Sequence, residues 1–365
     1  MGPQKKENMK SKVFFAPVSA ADTESSTAMK LEALIRKSPF SATIGSGDDV
    51  ILKLHFGEQG NKGFVRPAYV ARIAQAVRDA KGEPIVSDSN TLYRGRRMNS
   101  EDHARLAYEH GFTPDALNAR VVIPDDTRPQ NVSSISLNGE YVKTARIARL
   151  YADAGAIIGI AHFKGHLMTG FGGALKNLGM GCATREGKLF QHSDLAPIVV
   201  IKKCAGCKAC VAVCPSGAIT MKNNRAVVDS AKCIGCASCI PACTFKAIDL
   251  DWQGGGMLIQ EKMAEYALAV LSGKQGKVFF FNFLIKITKE CDCIAKDDPR
   301  IVPDIGILAS SDPVAADQAS YDLVTSGAGT DILSRLHPHR DGAKQLAHAQ
   351  KIGLGSREYA LETIA

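Results

Sequence analysis

Eight of the eleven cysteines fall within forty residues, and their spacing repeats. Cys204, Cys207, Cys210 and Cys214 form C-x2-C-x2-C-x3-C, followed by Pro215. Cys233, Cys236, Cys239 and Cys243 repeat the pattern 29 residues later. This is the ligand spacing of bacterial ferredoxins, in which three thiolates wrap one [4Fe-4S] cubane from a tight loop and the fourth caps the other cubane. Cluster I then takes Cys204, Cys207, Cys210 and Cys243. Cluster II takes Cys233, Cys236, Cys239 and Cys214. Thiolate sets also suit zinc, but zinc ribbons present paired C-x2-C knuckles with a longer loop between them. Thr244 replaces the proline that would follow the second fourth cysteine, and Pro241 precedes Cys243 by two positions. That alters a local turn and leaves all eight ligands in place. Disulfide frameworks belong to short secreted chains, so an odd total of eleven cysteines, eight of them clustered, points to metal in a reducing cytoplasm, kept low in oxygen.

Three further segments could carry chemistry. In LKLHFGEQGNKGFVRP, His55 ends a strand and Glu58 follows in a Gly-rich loop. Asp88 and Asn90 follow the next strand in the same way, where parallel sheets bind ligands. Each also suits ordinary turn and cap chemistry. His162, Lys164 and His166 lead into Gly170, Gly172 and Gly173 and a helix start; successive glycine amides there could cradle an anion, or form only a tight packing turn. Cys291 and Cys293 form C-x-C beside Asp292. With Cys182 they make a third thiol set, able to hold a metal or an additional cluster with one open position. The expectation is that Cys182, Cys291 and Cys293 converge near His162 and His166; the bland alternative is that Cys182 is a small core residue.

The elements that must position these groups alternate between strand and helix. Apolar runs at 12–18, 50–54, 84–87, 120–123, 156–162, 277–287 and 305–309 read as strands, and 67–80 and 257–271 as amphipathic helices. The expected class is α/β: a mostly parallel sheet with helices on both faces, interrupted by a small ferredoxin-like α+β module. The expected division is a flexible leader (1–12), the first part of the body (13–199), the inserted module (200–253, with Gly254 to Gly256 as a hinge) and the second part of the body (254–365). No stretch approaches the ~18 apolar residues of a spanning helix, and no secretory segment is evident. The formal charge is +8, modest for 365 residues, and no basic stripe interleaved with aromatics suggests nucleic acid. Residues 201–252 carry seven Lys/Arg against three Asp, a local excess of four positive charges that suits an acidic redox partner.

Taken together, LHFGEQGNKGFVRP, SDSNTLYRGRR, HFKGHLMTGFGGALKNLGMGC, CDC and IVPDIGILASSDPVAADQAS resemble the domain-of-unknown-function 362 family, in its ferredoxin-containing branch. The resemblance runs from about Lys12 to the Thr330 region. It implies an α/β body carrying a 2[4Fe-4S] insertion, and it supplies no reaction or substrate. The leading expectation is a cytoplasmic redox protein that passes electrons through two [4Fe-4S] clusters to an anion- or metal-binding site in the body, with a small-molecule substrate. The alternatives are a non-catalytic ferredoxin-type carrier or adaptor, and a cluster- or metal-delivery protein.

Overall fold

The computed structural model describes residues 10–93, 95–126, 128–192, 197–233, 237–249 and 258–364. Its centre is an eight-stranded sheet built from β1 (Ser11–Pro17), β2 (Asp49–Lys53), β3 (Glu83–Ser87), β4 (Arg120–Val122), β5 (Ala156–His162), β6 (Val278–Leu284), β7 (Gly306–Ser310) and β8 (Tyr359–Thr363). The order across the sheet is β8-β1-β7-β6-β5-β2-β3-β4. Every pairing is parallel except those of β7, which runs antiparallel to β1 and β6. Strands from before and after the cysteine-rich segment therefore share one sheet. The first strand begins earlier than the expected leader boundary: Ser11 and Lys12 pair with Tyr359 and Ala360. The proposed hinge at Gly254 to Gly256 lies outside the described residues.

The alternation of side chains along the strands divides the core in two. Ile51, Ile85, Ile157, Phe280 and Leu308 face one apolar cluster; Val50, Leu52, Val86, Ile158, Ile160, Phe279, Phe281 and Ala309 face another. Burial on both faces is why these central strands read as continuous apolar runs. Helices Ala174–Gly179, Ile259–Leu271, Pro313–Ala328 and Ala343–Lys351 cover the first face; Glu24–Lys37 and Pro67–Asp79 cover the second. Local signals agree with these choices. Pro67 opens its helix at the position where a missing N–H costs nothing, and Val70, Ile73, Ala74 and Val77 form its buried stripe. Asp312 caps Pro313–Ala328 by accepting from the Val314 and Ala315 amides.

The cysteine-rich segment adds two small antiparallel ladders, Ile198–Val199 with Ile248–Asp249 and Ile219–Lys222 with Arg225–Val228. Short helices Ala209–Ala212 and Cys239–Ala242 accompany them. Its two halves repeat in conformation as well as in sequence. Lys208 and Ala237, which follow the second cysteine of each set, are both left-handed, as are Gly217 and Lys246, three residues after each fourth cysteine. A left-handed lysine or alanine is uncommon, and its recurrence at matched positions marks a loop shape common to the two halves.

Candidate functional site

Two hollows collect the clustered cysteines. One is lined by Cys204, Cys207, Cys210 and Cys243. The other is lined by Cys214, Cys233 and Cys239; Cys236 lies outside the described residues. Cys204, Cys207 and Cys210 thus share a hollow with Cys243, and Cys233 and Cys239 share one with Cys214. Backbone amides already face the sulfurs: Ala226 N–H donates to Cys204 Sγ (3.4 Å), Ala218 to Cys214 (3.3 Å) and Ala247 to Cys243 (3.2 Å). Such donors favour thiolate over thiol: amide hydrogen bonds hold Cys204, and the Ser216 hydroxyl with neighbouring amides holds Cys214, below the ordinary thiol range even though burial opposes it. The donor set fits a thiolate-ligated group in each hollow.

A larger cavity of about 460 Å3 opens at the carboxyl ends of β2, β3 and β5, where a parallel sheet binds its ligands. Lys53 and His55 reach it from β2, Asp88 and Ser89 from β3, and His162 from β5. Lys164 and His166 come from the short hairpin 164–166/170–172, Lys176 and Asn177 from the helix behind it, and Cys291 and Cys293 from the loop after β6. Lys188 completes the wall.

Asp88 is the electrostatic hub. Its carboxylate meets Lys53 (3.0 Å), Arg97 (3.4 Å) and His103 (3.5 Å). Burial pushes it up, but Lys53 and His103 outweigh burial and hold it well below the usual carboxylate range. Lys53 Nζ also donates to the Leu54 carbonyl and to Asn177 Oδ1, so this buried ammonium is fully engaged. His55 accepts from the Gly57 amide at Nδ1 (2.9 Å), and burial, with Arg97 beside it, pushes its imidazole down to about 3. Lys188 differs. Its Nζ donates to Ser89 Oγ (2.6 Å) and the Ala183 carbonyl (2.8 Å) and, among the described residues, meets no carboxylate within ion-pair distance. Burial pushes it down to about 8.

Also lining the cavity, ligand atoms of His166, Cys291 and Cys293 lie within 4.8 Å of one another, the one such group among the described residues. Lys176 Nζ is 3.9 Å from Cys291 Sγ. Hydrogen bonding from Cys293, aided by Lys176 and His166, holds Cys291 well below the ordinary thiol range, while Cys293 is pushed well above it. His166 Nδ1 accepts from the Met168 and Thr169 amides (3.1 and 3.2 Å), and burial pushes the ring down to about 4. Between the two cysteines, buried Asp292 receives His162 Nδ1 (2.9 Å) and Lys164 Nζ (3.3 Å).

Cys182 does not join this group. It is fully buried in the core with Tyr151 and Leu178, and burial pushes its thiol up to about 12; His166 stands in its place beside the C-x-C pair. The glycine cradle also has another occupant. The amides of Ala174 and Leu175, at the helix start after Gly170, Gly172 and Gly173, are taken by Asp317 (2.7 and 2.9 Å). A side chain at Gly173 would meet that carboxylate, so the glycine serves internal packing, not an external anion. Glu58 and Asn90 sit behind the cavity wall. Glu58 accepts from the Gln59 and Arg96 amides and faces Arg97, and Asn90 bonds Ser100. Lys53, Lys176 and Lys188 were missed from the sequence; a lysine at the end of the apolar run VILKL was the readable signal for the first.

Residues 50–322 match the family described as domain of unknown function 362. The chain belongs to that family. Among solved structures, the lactate racemase apoprotein from Thermoanaerobacterium thermosaccharolyticum is 13% identical, with a TM-score of 0.44 over 86% of this chain and 57% of that one. A structural-genomics protein from Thermotoga maritima is also 13% identical, with a TM-score of 0.39 over 90% of this chain and 59% of its own. The chain spans less than two thirds of the length of either. No curated protein matches it. Among the described residues, no helix is long and apolar enough to cross a membrane.

Proposed function

We propose that this chain is a cytoplasmic iron-sulfur redox protein that relays electrons into the body cavity, where a small anionic substrate is bound. The residues that would hold the two [4Fe-4S] clusters are Cys204, Cys207, Cys210 and Cys243, and Cys214, Cys233, Cys236 and Cys239. Each cluster, when bound, exchanges one electron at a potential set by burial and by hydrogen bonds to its sulfurs. The observation that carries the reading is the crossed gathering of the described cysteines, Cys243 with Cys204, Cys207 and Cys210, and Cys214 with Cys233 and Cys239. In the body, Lys53 and Arg97 are neutralised by Asp88 and Glu58, while Lys176 and Lys188 meet no carboxylate within ion-pair distance among the described residues and suit an anionic substrate. The module touches this chamber: Leu92 lines the cavity and belongs to the same packed cluster as Cys204, Cys210 and Cys243. Anaerobic purification with iron, sulfide and zinc analysis tests the reading. About eight irons per chain, with a reducible paramagnetic signal, is expected; stoichiometric zinc instead refutes it.

A second reading, a ferredoxin-type carrier docking an acidic partner, is favoured by one feature. Ile198, Ile201, Val213, Val227 and Phe245 are exposed large apolar side chains on the basic module. Reduced clusters with a body that binds no small anion would favour it.

A further inference from the structure

We propose that Cys291 and Cys293 are a redox-active dithiol that reduces a small anionic disulfide by thiol-disulfide exchange. The proposal names the chemistry of the cavity and rests on the reading above only for the source of electrons.

The local backbone suits the bond. The Ile294 amide donates to the Cys291 carbonyl (3.0 Å), closing a turn over 291–294. Residues two apart in a turn lie closer than the ~7 Å of an extended pair, inside the span a disulfide bridges. Their sulfurs already share one small group with the His166 ring, and both residues line the cavity. The loop is pinned through its middle residue, since Asp292 is held by His162 and Lys164 and its carbonyl accepts from the Glu58 amide (2.9 Å). The sulfurs are thus presented by a braced turn.

The surroundings suit exchange better than metal binding. Lys176, 3.9 Å from Cys291 Sγ, favours the attacking thiolate. His166 Nδ1 accepts from two backbone amides, so the neutral ring carries its proton on Nε2. That N–H can donate a hydrogen bond that steadies the Cys291 thiolate, the departing RS⁻ taking its proton from solvent, whereas a metal would require the same nitrogen without its proton. Lys188, which among the described residues meets no carboxylate within ion-pair distance, adds a cation to the same chamber. It selects an anionic substrate.

The step balances without another reactant. Cys291 thiolate attacks one sulfur of RS–SR, the S–S bond breaks, and RS⁻ leaves and is protonated. Cys293 then loses its proton and attacks the Cys291–SR bond, expelling the second RS⁻. The sum is RSSR plus the dithiol giving two RSH plus the Cys291–Cys293 disulfide. Returning that disulfide to the dithiol takes two electrons, as many as two one-electron iron-sulfur centres hold.

The test uses the purified full-length protein, reduced and kept anaerobic, with 5,5′-dithiobis(2-nitrobenzoate) as an anionic probe. Rapid release of about two thiolates per chain is expected, with a 291–293 peptide about 2 Da lighter than its dithiol form. Cys293→Ser should release one thiolate and keep the mixed disulfide on Cys291. Lys176→Met should slow the first release by about tenfold or more, and neutral 2-hydroxyethyl disulfide should react more slowly than the anionic probe. Peptide mapping after equilibration in dithiothreitol redox buffers gives the same answer without the probe. Absence of a 291–293 disulfide at every poise overturns the proposal, as does tight uptake of one Zn2+ that protects both thiols. Loss of the cluster signals with normal thiol release would instead refute only the relay.

Discussion

Asp317→Asn should change how stability depends on pH. The carboxylate is fully buried and accepts from the Ala174 and Leu175 amides and from Asn282 Nδ2 (2.7 Å). Burial nevertheless wins, raising its pKa from 3.8 to about 6. For an acid raised in this direction, the folded state binds the proton more tightly than the unfolded one. Stability from this group is therefore greatest below 3.8 and is lost as pH rises through the window to about 6. Two units correspond to ~3 kcal/mol in all, of which ~1.4 kcal/mol falls between about pH 5 and 7.5. Asparagine removes that titration but turns an N–H toward a backbone amide, leaving one buried donor unpaired at ~1–3 kcal/mol. Chemical denaturation of both proteins at matched cluster content should show a stability difference that shrinks by ~1.4 kcal/mol from pH 5 to 7.5 as the ionised wild-type group loses its advantage. A difference independent of pH would mean that Asp317 titrates as an ordinary carboxylate, and the assigned burial penalty would be wrong.

Other perturbations read other parts of the structure. Cys214→Ala should abolish the paramagnetic signal of the cluster held by Cys233, Cys236 and Cys239; loss confined to the Cys204 cluster would defeat crossed ligation. Lys53→Met strips Asp88 of its nearest cation and should destabilise by ~3–5 kcal/mol, measured by thermal or denaturant unfolding; a change below ~1 kcal/mol would remove Asp88 from its role as hub. Gly173→Ala pushes a methyl against Asp317 and should cost ~1–3 kcal/mol while weakening anion binding through the displaced Lys176 helix. Replacing residues 200–255 with a short Gly/Ser linker should leave a body that unfolds cooperatively, because β1 to β5 and β6 to β8 pair without it; a chain recovered only as aggregate would show that the module is integral to the core.

The sheet was legible because its signals are local. Runs such as AIIGIAH and VFFFNFL are apolar on both faces, and only a doubly covered strand tolerates that. The gathering of the described cysteines into two hollows was foreshadowed by the repeated spacing of the two sets. The cavity was legible only in outline. Strand-end position brought out His55, Asp88 and His162, but partner choice depends on residues far apart in sequence. Asp317 fills the amides at 174 and 175 from 143 positions away, and no pattern near the glycines announces it. Cys182 misled for a different reason. A buried thiol and a reactive thiol are the same residue in sequence, and only their surroundings in the fold separate them: Cys182 packs among Tyr151 and Leu178, while Cys291 shares a small group with Cys293 and His166.

The histidine and lysine before the glycines illustrate how chemistry-bearing residues can act one step removed. His162 and Lys164 line the cavity, yet their polar atoms are spent on Asp292, and Lys164 also donates to the His162 carbonyl (2.7 Å). Asp292 in turn separates Cys291 from Cys293 and is fully buried, a position a lone carboxylate could not occupy without such cations. The acidic residue between the two cysteines is thus the anchor by which β5 fixes the loop after β6. Since β5 and β6 are neighbours in parallel register, with His162 paired to Phe283, the C-x-C loop is bound to the strand ends that form the chamber floor. The thiols are held against the sheet, and Leu92 joins that chamber to the cysteine module.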